Sequence, residues 1–162
     1  MYQIEQEQIE DWWEVESLYD LSFAPGREAL SSYRLRSGVP CVAELCLVAR
    51  DSDGVLGGAI RYWPIRIGEN SEKALLLGPI AVHPTRQGEG LGGLLIHRSL
   101  DIARANDWKR VVLVGDAPYY ARFGFKKASF LTYPPPTNPD RLLYLELEGN
   151  AFLGIEGLIK SG

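Results

Sequence analysis

The residues best suited to chemistry lie in one run. Apolar Leu75 to Val82 leads through His83-Pro84-Thr85-Arg86-Gln87 into Gly88-Glu89-Gly90-Leu91-Gly92-Gly93 and on into Leu94-Leu95-Ile96. This is the pattern of a buried strand that turns through glycines into a helix. Glycines lack Cβ atoms, so their backbone N–H groups can crowd round a phosphate. The unpaired N–H groups of the helix's first turn add the positive end of a dipole. The chemistry is that of holding a pyrophosphate, and the ligand expected is a nucleotide-like anion. Gly88 to Gly93 also matches the GxGxxG pattern of dinucleotide-binding folds, with Asp116 roughly where that fingerprint wants an acid. In a dinucleotide fold, however, the first glycine follows the strand almost at once. Here His83 to Gln87 intervenes, Pro84 cannot donate to a strand ladder, and too little chain follows to complete a doubly wound sheet. A P-loop is excluded because no Lys-Ser or Lys-Thr follows the glycines.

A second constellation follows the helix: the apolar run Arg110-Val111-Val112-Leu113-Val114-Gly115-Asp116, then Ala117-Pro118-Tyr119-Tyr120-Ala121-Arg122-Phe123-Gly124-Phe125. Read as Gln87-x-x-Gly90-x-Gly92, the first loop resembles the acyl-CoA pyrophosphate motif of the GCN5-related N-acetyltransferases (GNAT). The second constellation resembles that family's fifth strand, its short helix and its tyrosine, Tyr120, placed four residues before the Gly124-Phe125 pair. The wording Gly-Asp-Ala-Pro-Tyr-Tyr-x-Arg-Phe-Gly-Phe, with a Pro-rich loop and a Leu-rich last strand, is most similar to a bacterial subgroup of predicted acetyltransferases whose acceptors are mostly unassigned. The resemblance covers essentially the whole chain and is firmest from Leu75 to Lys127.

The resemblance implies an α/β fold, a mixed and mostly antiparallel sheet flanked by helices, with the fourth and fifth strands splayed apart. It implies acetyl-CoA as acyl donor and no metal. Backbone groups of Ile80, Ala81 and Val82 would hold the pantetheine arm, and one N–H there would polarise the thioester carbonyl. Arg86, Gln87, Gly88, Glu89, Gly90, Leu91, Gly92 and Gly93, with Tyr120 and Arg122 nearby, would complete the cofactor site. Acetyl transfer to an amine needs a neutral amine, a donor for the carbonyl oxygen and a proton for the departing thiolate. Tyr120 is the candidate acid, because a phenol with a pKa near ~10 is protonated at neutral pH and a thiol of about 8.5 can receive its proton. Candidate bases are Glu44, Asp116 and, less directly, Glu72, with a water chain as the alternative. Many family members carry an amide where this chain has Asp116, so Asp116 could instead meet a cationic acceptor. Tyr119, Phe123 and Phe125 read as an aromatic cluster that fixes the short helix. A CoA-binding sensor or interaction module without transferase activity is the competing reading of the same fold.

These residues need elements to position them. Tyr2 to Gln6 reads as a first strand, and Ile9, Trp12, Trp13, Val15, Leu18 and Tyr19 recur at helical spacing from Gln8 to Ser22. Pro25-Gly26 breaks that helix, and a second is expected from Arg27 to Arg36, ended by Ser37-Gly38 and Pro40. Glu44 to Arg50 and Val55 to Ile67 flank the turn Asp51-Ser52-Asp53-Gly54 as a hairpin. A strand from Lys73 to Val82 leads into the glycine loop. In the helix Leu91 to Asn106, Leu91, Leu95, Ile96, Ile102 and Ala103 form an apolar side opposite His97, Arg98, Asp101 and Arg104. His97 is therefore expected at the surface, and His83 in a turn. Tyr133-Pro134-Pro135-Pro136-Thr137-Asn138-Pro139 must be a stiff loop, Leu142 to Glu148 a closing strand, and the tail from Gly149 a packed or loose extension. The acceptor pocket is expected between the two N-terminal helices, Arg61, Tyr62, Trp63 and the Pro134 loop.

Composition fits one domain over residues 1–162, since 162 residues with 46% hydrophobic content bury a full core, and the resemblance implies that it is a single acyl-CoA N-acyltransferase domain. A net charge of −4 argues against nucleic acid as a partner, because backbone phosphates are held by Lys and Arg. No apolar stretch is long enough to span a membrane and the N-terminal segment is acidic, which points to the cytoplasm and away from export. Cys41 and Cys46 are too few for a disulfide framework and lack the histidines of a zinc site; both are expected as buried small hydrophobes. The partner expected is a small-molecule or peptide amine, and the choice between monomer and homodimer stays open.

Overall fold

In the computed structural model, which describes residues 1–23 and 31–162, successive side chains of each strand point to opposite faces of one sheet, and the central strands are largely buried on both faces. The elements in chain order are β1 (Gln3–Gln6), α1 (Trp12–Ser22), α2 (Ser31–Arg36), β2 (Leu47–Arg50), β3 (Leu56–Ile67) and β4 (Glu72–Val82). After the glycine loop come α3 (Leu91–Ala105), β5 (Arg110–Val114), α4 (Ala117–Ala121), β6 (Lys126–Lys127), β7 (Leu131–Thr132), β8 (Leu142–Glu146) and β9 (Gly157–Ser161). The sheet runs β1-β2-β3-β4-β5-β8-β6, with β9 pairing β3 and β7 to one side. The β4–β5 contact is parallel; its neighbours along that order are antiparallel.

One face packs on α3. Ile60 and Tyr62 of β3, Leu75 and Leu77 of β4, Val111 and Leu113 of β5, and Leu143 and Leu145 of β8 join Leu91, Leu95, Ile96, Leu100 and Ala103 of the helix. Buried Ser99 does not break this face, because its hydroxyl meets Tyr62 Oη at 2.7 Å and donates to Ile96 O. The intervening residues face the other way. Ile65, Ile67, Ala74, Leu76, Val112 and Leu142 pack with Phe152 and Ile159 of the tail, while Ala59 and Ala81 meet Val15, Leu18 and Tyr19 of α1.

Three features depart from the sequence reading. The chain from Ala43 to Leu45 forms a 3-10 turn before β2, so the strand begins at Leu47. Of the six apolar residues spaced along α1 and its approach, only Val15, Leu18 and Tyr19 are buried, and Ile9, Trp12 and Trp13 are exposed. Cys41 is exposed rather than buried, because it precedes the turn that carries the chain into the sheet; Cys46 is buried, with its thiol against Val42 O. Of the two readings left open for the tail, the packed one holds, as Phe152 enters the core and β9 pairs with Ile65, Arg66 and Ile67. The break at Pro25-Gly26 and the start of the helix expected from Arg27 lie outside the described residues; the helix is seen from Ser31 to Arg36.

Candidate active site

The site begins where two central strands separate. β4 and β5 pair only at Leu75–Val111 and Leu76–Val112, yet β4 continues to Val82 and β5 to Val114. The cause lies in β4. Between the pairs Tyr62–Leu77 and Ile60–Ile80, β4 carries one residue more than β3, so Gly78-Pro79 forms a bulge. The insertion reverses the parity of the strand. Before it, Leu75 and Leu77 face α3; after it, Ile80 and Val82 do. Tyr19 of α1 donates to Pro79 O at 3.1 Å and ties the bulge to the opposite layer. From Ile80 to Val82 the strand pairs with Ile60, Ala59 and Gly58 on one side, and among the described residues its other edge has no strand partner beside the gap.

A cavity of about 460 Å³ occupies that gap. Its walls include Leu77 to Ile80 of β4, Leu113 to Asp116 at the end of β5, Tyr119 and Tyr120 of α4, and Phe23, Tyr33, Arg36, Tyr133 and Arg141 from outside the motif segments. Tyr120 is packed edge-on against Tyr119 at 5.0 Å and Phe125 at 5.9 Å between ring centres. Gly115 makes room for it, since a Cβ there would stand 2.6 Å from Tyr120 Cε2. Burial is the main cause that pushes the Tyr120 phenol up to about 12, so it holds its proton throughout the neutral range. Asp116 caps α4, its carboxylate accepting from Tyr119 N at 3.2 Å.

A second hollow of about 690 Å³ lies at the far end of β4. Val82, Arg86, Gln87, Gly88, Gly90, Leu91, Gly92 and Gly93 line it with His97, Tyr119, Arg122 and Phe123. Gly88 and Gly90 have φ of 86° and 77°, the left-handed region open to glycine, and Gly90 is the N-cap of α3. A Cβ at either would meet nothing within 4 Å, so the loop wraps an open concavity. At Gly92 a Cβ would come within 3.0 Å of Tyr119 Oη. Tyr119 and β4 are common to both hollows, which therefore follow one another along the strand.

The structure gathers most of the motif residues here and leaves some aside. Ile80 lines the gap, while Ala81 is buried in the α1 layer, leaving its backbone for any contact. Glu89 reaches away from the hollow: its carboxylate accepts from Tyr2 Oη at 2.6 Å. Arg86 bridges the same Tyr2 hydroxyl and Asp51, the latter at 2.6 Å. Arg122 lies over the Tyr119 ring at 4.7 Å. Glu44 lies in an exposed turn before β2 and Glu72 at the start of β4, several residues before the strand reaches the cavity at Leu76; neither lines the gap. Of the expected acceptor residues, Arg61 is paired with Glu7 and Glu16, Tyr62 is in the core, and Trp63 lies outside the lining. His97 is at the surface, as expected, and also lines the cradle; its spacing of four from Gly93 on α3 was the available signal for the second point. For Arg36, Arg141, Tyr33 and Tyr2 no local signal existed, since distant pairing brings them in.

Among the described residues no three His, Cys, Asp or Glu side chains gather as a metal site, and no helix is long and apolar enough to cross a membrane. Comparison with known proteins matches residues 43–127, just over half the chain, to the family described as Acetyltransferase (GNAT) domain. The Escherichia coli K12 protein named uncharacterized N-acetyltransferase YhbS is 28% identical over 148 residues, covering 90% of this chain and 87% of that one. The crystal structure of E. coli YhbS in complex with CoA superposes with a TM-score of 0.87 at 27% identity, covering 99% of this chain and 89% of that one. A GNAT family acetyltransferase from Brucella melitensis in complex with acetyl-CoA gives 0.71 at 30% identity, covering 91% and 89%.

Proposed function

Because the chain belongs to the GNAT acetyltransferase family, we propose that it transfers the acetyl group of acetyl-CoA to a primary amine by direct attack in a ternary complex, as one domain over residues 1–162. Acetyl-CoA supplies the activated thioester carbonyl and a thiolate that departs. The chain's own residues fit such a donor, since the open concavity at Gly88 and Gly90 is the space a Cβ would begin to fill. First-turn N–H groups of α3 face the pyrophosphate position, and Arg122 adds a nearby cation. The unpaired edge of β4 from Ile80 to Val82 offers backbone groups to the pantetheine amides and a donor to the thioester oxygen.

Tyr120 holds a proton at Oη and delivers it to the departing sulfur. Its packing fixes the hydroxyl in the gap, and its burial keeps it protonated. The attacking amine loses a proton through Asp116 or water, and that proton restores the Tyr120 phenol, so amine and thioester become amide and CoA thiol with no net proton change. Asp116 lines the gap, but its carboxylate already caps α4, so its basicity is shared with a structural duty. The two free thiols suit a reducing bacterial cytoplasm.

The observation that carries this reading is the placement of Tyr120 in the gap where β4 and β5 part, with the glycine cradle at the end of the same β4. The experiment is release of free CoA thiol from acetyl-CoA over a panel of primary amines, with mass detection of the N-acetyl product. Thiol release matched by an acetylated amine is expected. A folded protein that binds acetyl-CoA and releases none with any amine would contradict it and favour the non-catalytic CoA-binding reading.

A further inference from the structure

We infer that the acceptor is an amine that also carries a carboxylate, and that its anionic end pairs with Arg36 on the wall of the gap. This rests on the transferase reading above and names its substrate class. Arg36 is the last residue of α2, and its guanidinium stacks 3.7 Å from the centre of the Tyr33 ring and 5.3 Å from that of Trp63. Its Nε is shut off from solvent and has no hydrogen-bond acceptor among the described residues. The same holds for Nε1 of Trp63 beside it. Arginine and tryptophan side chains are donors only, so these two nitrogens lack an acceptor among the described residues, although the Arg36 guanidinium also meets the Tyr33 hydroxyl.

The electrostatics point the same way. Arg50, Arg61, Arg86 and Arg110 each have a carboxylate within 4 Å, from Asp11 and Glu14, Glu7 and Glu16, Asp51, and Glu72 respectively. Arg36 has none among the described residues, although burial is the main cause that holds it below the usual guanidinium range. It remains a cation, because arginine does not deprotonate in proteins at neutral pH. Arg141 is a second cation on the same wall, with its Nε donating to Gly115 O and the rest of its fork uncommitted among the described residues. Asp116 is the one acid in the described lining. Two arginines against one carboxylate disfavour a polyamine and favour an amine with an anionic end, which the planar guanidinium fork can grip with two parallel hydrogen bonds. The volume of the gap suits a small molecule. With its carboxylate at Arg36, such a molecule sits in the same cavity as Tyr120 and Ile80 of β4, where its amine can meet the donor.

The test uses the full chain with acetyl-CoA, the twenty common L-amino acids, their carboxamides and spermidine, with thiol release as the readout. The best amino acid is expected to exceed its own carboxamide more than tenfold in kcat/KM, chiefly through KM. In Arg36→Gln that ratio collapses toward one, and in Arg36→Lys, which keeps the charge but not the fork, part of it returns; circular dichroism reports folding. Carboxamides or spermidine acetylated as well as the amino acids would overturn the inference while leaving the transferase reading intact. So would a ratio that persists in folded Arg36→Gln. If neither variant folds, the wild-type ratio decides alone. Failure of every amine overturns the transferase reading and this inference together.

Discussion

Tyr119 and Tyr120 are adjacent, and their surroundings give them different work. Tyr119 stands between the two hollows with Arg122 over its ring, whereas Tyr120 is half-buried against Gly115 with its phenol pushed up to about 12. A positioned general acid contributes about 10² to 10⁴ in rate. Tyr120→Phe should lose that in kcat at saturating acetyl-CoA, with cofactor affinity by calorimetry changing little, and Tyr119→Phe should be milder. The raised phenol sets the sign of the pH dependence: the donating form persists as pH rises and is lost only near 12. Steady-state rates should therefore show no decline from this group between neutral pH and pH 10. A decline below pH 10 that vanished in Tyr120→Phe would count against the assignment. Gly115→Ala tests the positioning, since the new methyl must displace the ring or the strand. It should lower kcat by at least tenfold at a modest cost in stability, and unaltered kcat would show that the ring need not stand where it does.

At the scale of elements, the glycine loop and the β4 bulge do separate jobs. Gly90→Val meets no neighbour, but it forces a β-branched residue into the left-handed region and puts bulk into the concavity. Acetyl-CoA affinity should fall more than tenfold in a protein that still folds by circular dichroism, and unchanged affinity would remove the loop from the site. The loop was legible in the sequence because everything it needs is local: a strand, glycines at fixed offsets and a helix start. The bulge was not, because a Gly-Pro pair inside an apolar run declares neither its extra residue nor the change of facing that follows. Arg61 was misjudged for a similar reason. Its neighbours in sequence pointed to the acceptor, but Glu7 and Glu16 arrive from far along the chain to hold it, which ties β3 to the N-terminal layer. Both side chains of the Arg61–Glu7 pair are nearly buried, at 9% and 10% exposure. Arg61→Ala should thus cost about 3–5 kcal/mol in denaturant unfolding by stranding the carboxylates, and a cost below about 1 kcal/mol would show the pair is not structural.

Over the whole molecule, β-rich runs bounded by turns and one long amphipathic helix made the layered α/β architecture readable, as did the tyrosine before Gly124-Phe125. The second N-terminal helix and the segment of the Pro134 loop do wall the gap as expected, but which of their side chains converge there was not legible in sequence. Arg36, Tyr133 and Arg141 come from α2, the Pro-rich loop and the approach to β8, and only the finished topology sets them around one gap. The architecture also implies linkage between ligand and stability, because the cradle and the β4 edge exist only in the folded state. Acetyl-CoA should raise the melting temperature with concentration while NAD and NADP do not, in line with a free energy that grows as the logarithm of ligand over its dissociation constant; a shift with NAD alone would contradict the cofactor assignment. The most direct test of the central claim, acetyl transfer in the gap between β4 and β5, is a side-by-side measurement of thiol release by wild type and Tyr120→Phe at saturating acetyl-CoA with the best amine of the panel. The account predicts robust release by wild type and a loss of about 10² to 10⁴ in the variant at equal cofactor affinity. A Tyr120→Phe enzyme within a few-fold of wild type would contradict it and leave that tyrosine as packing.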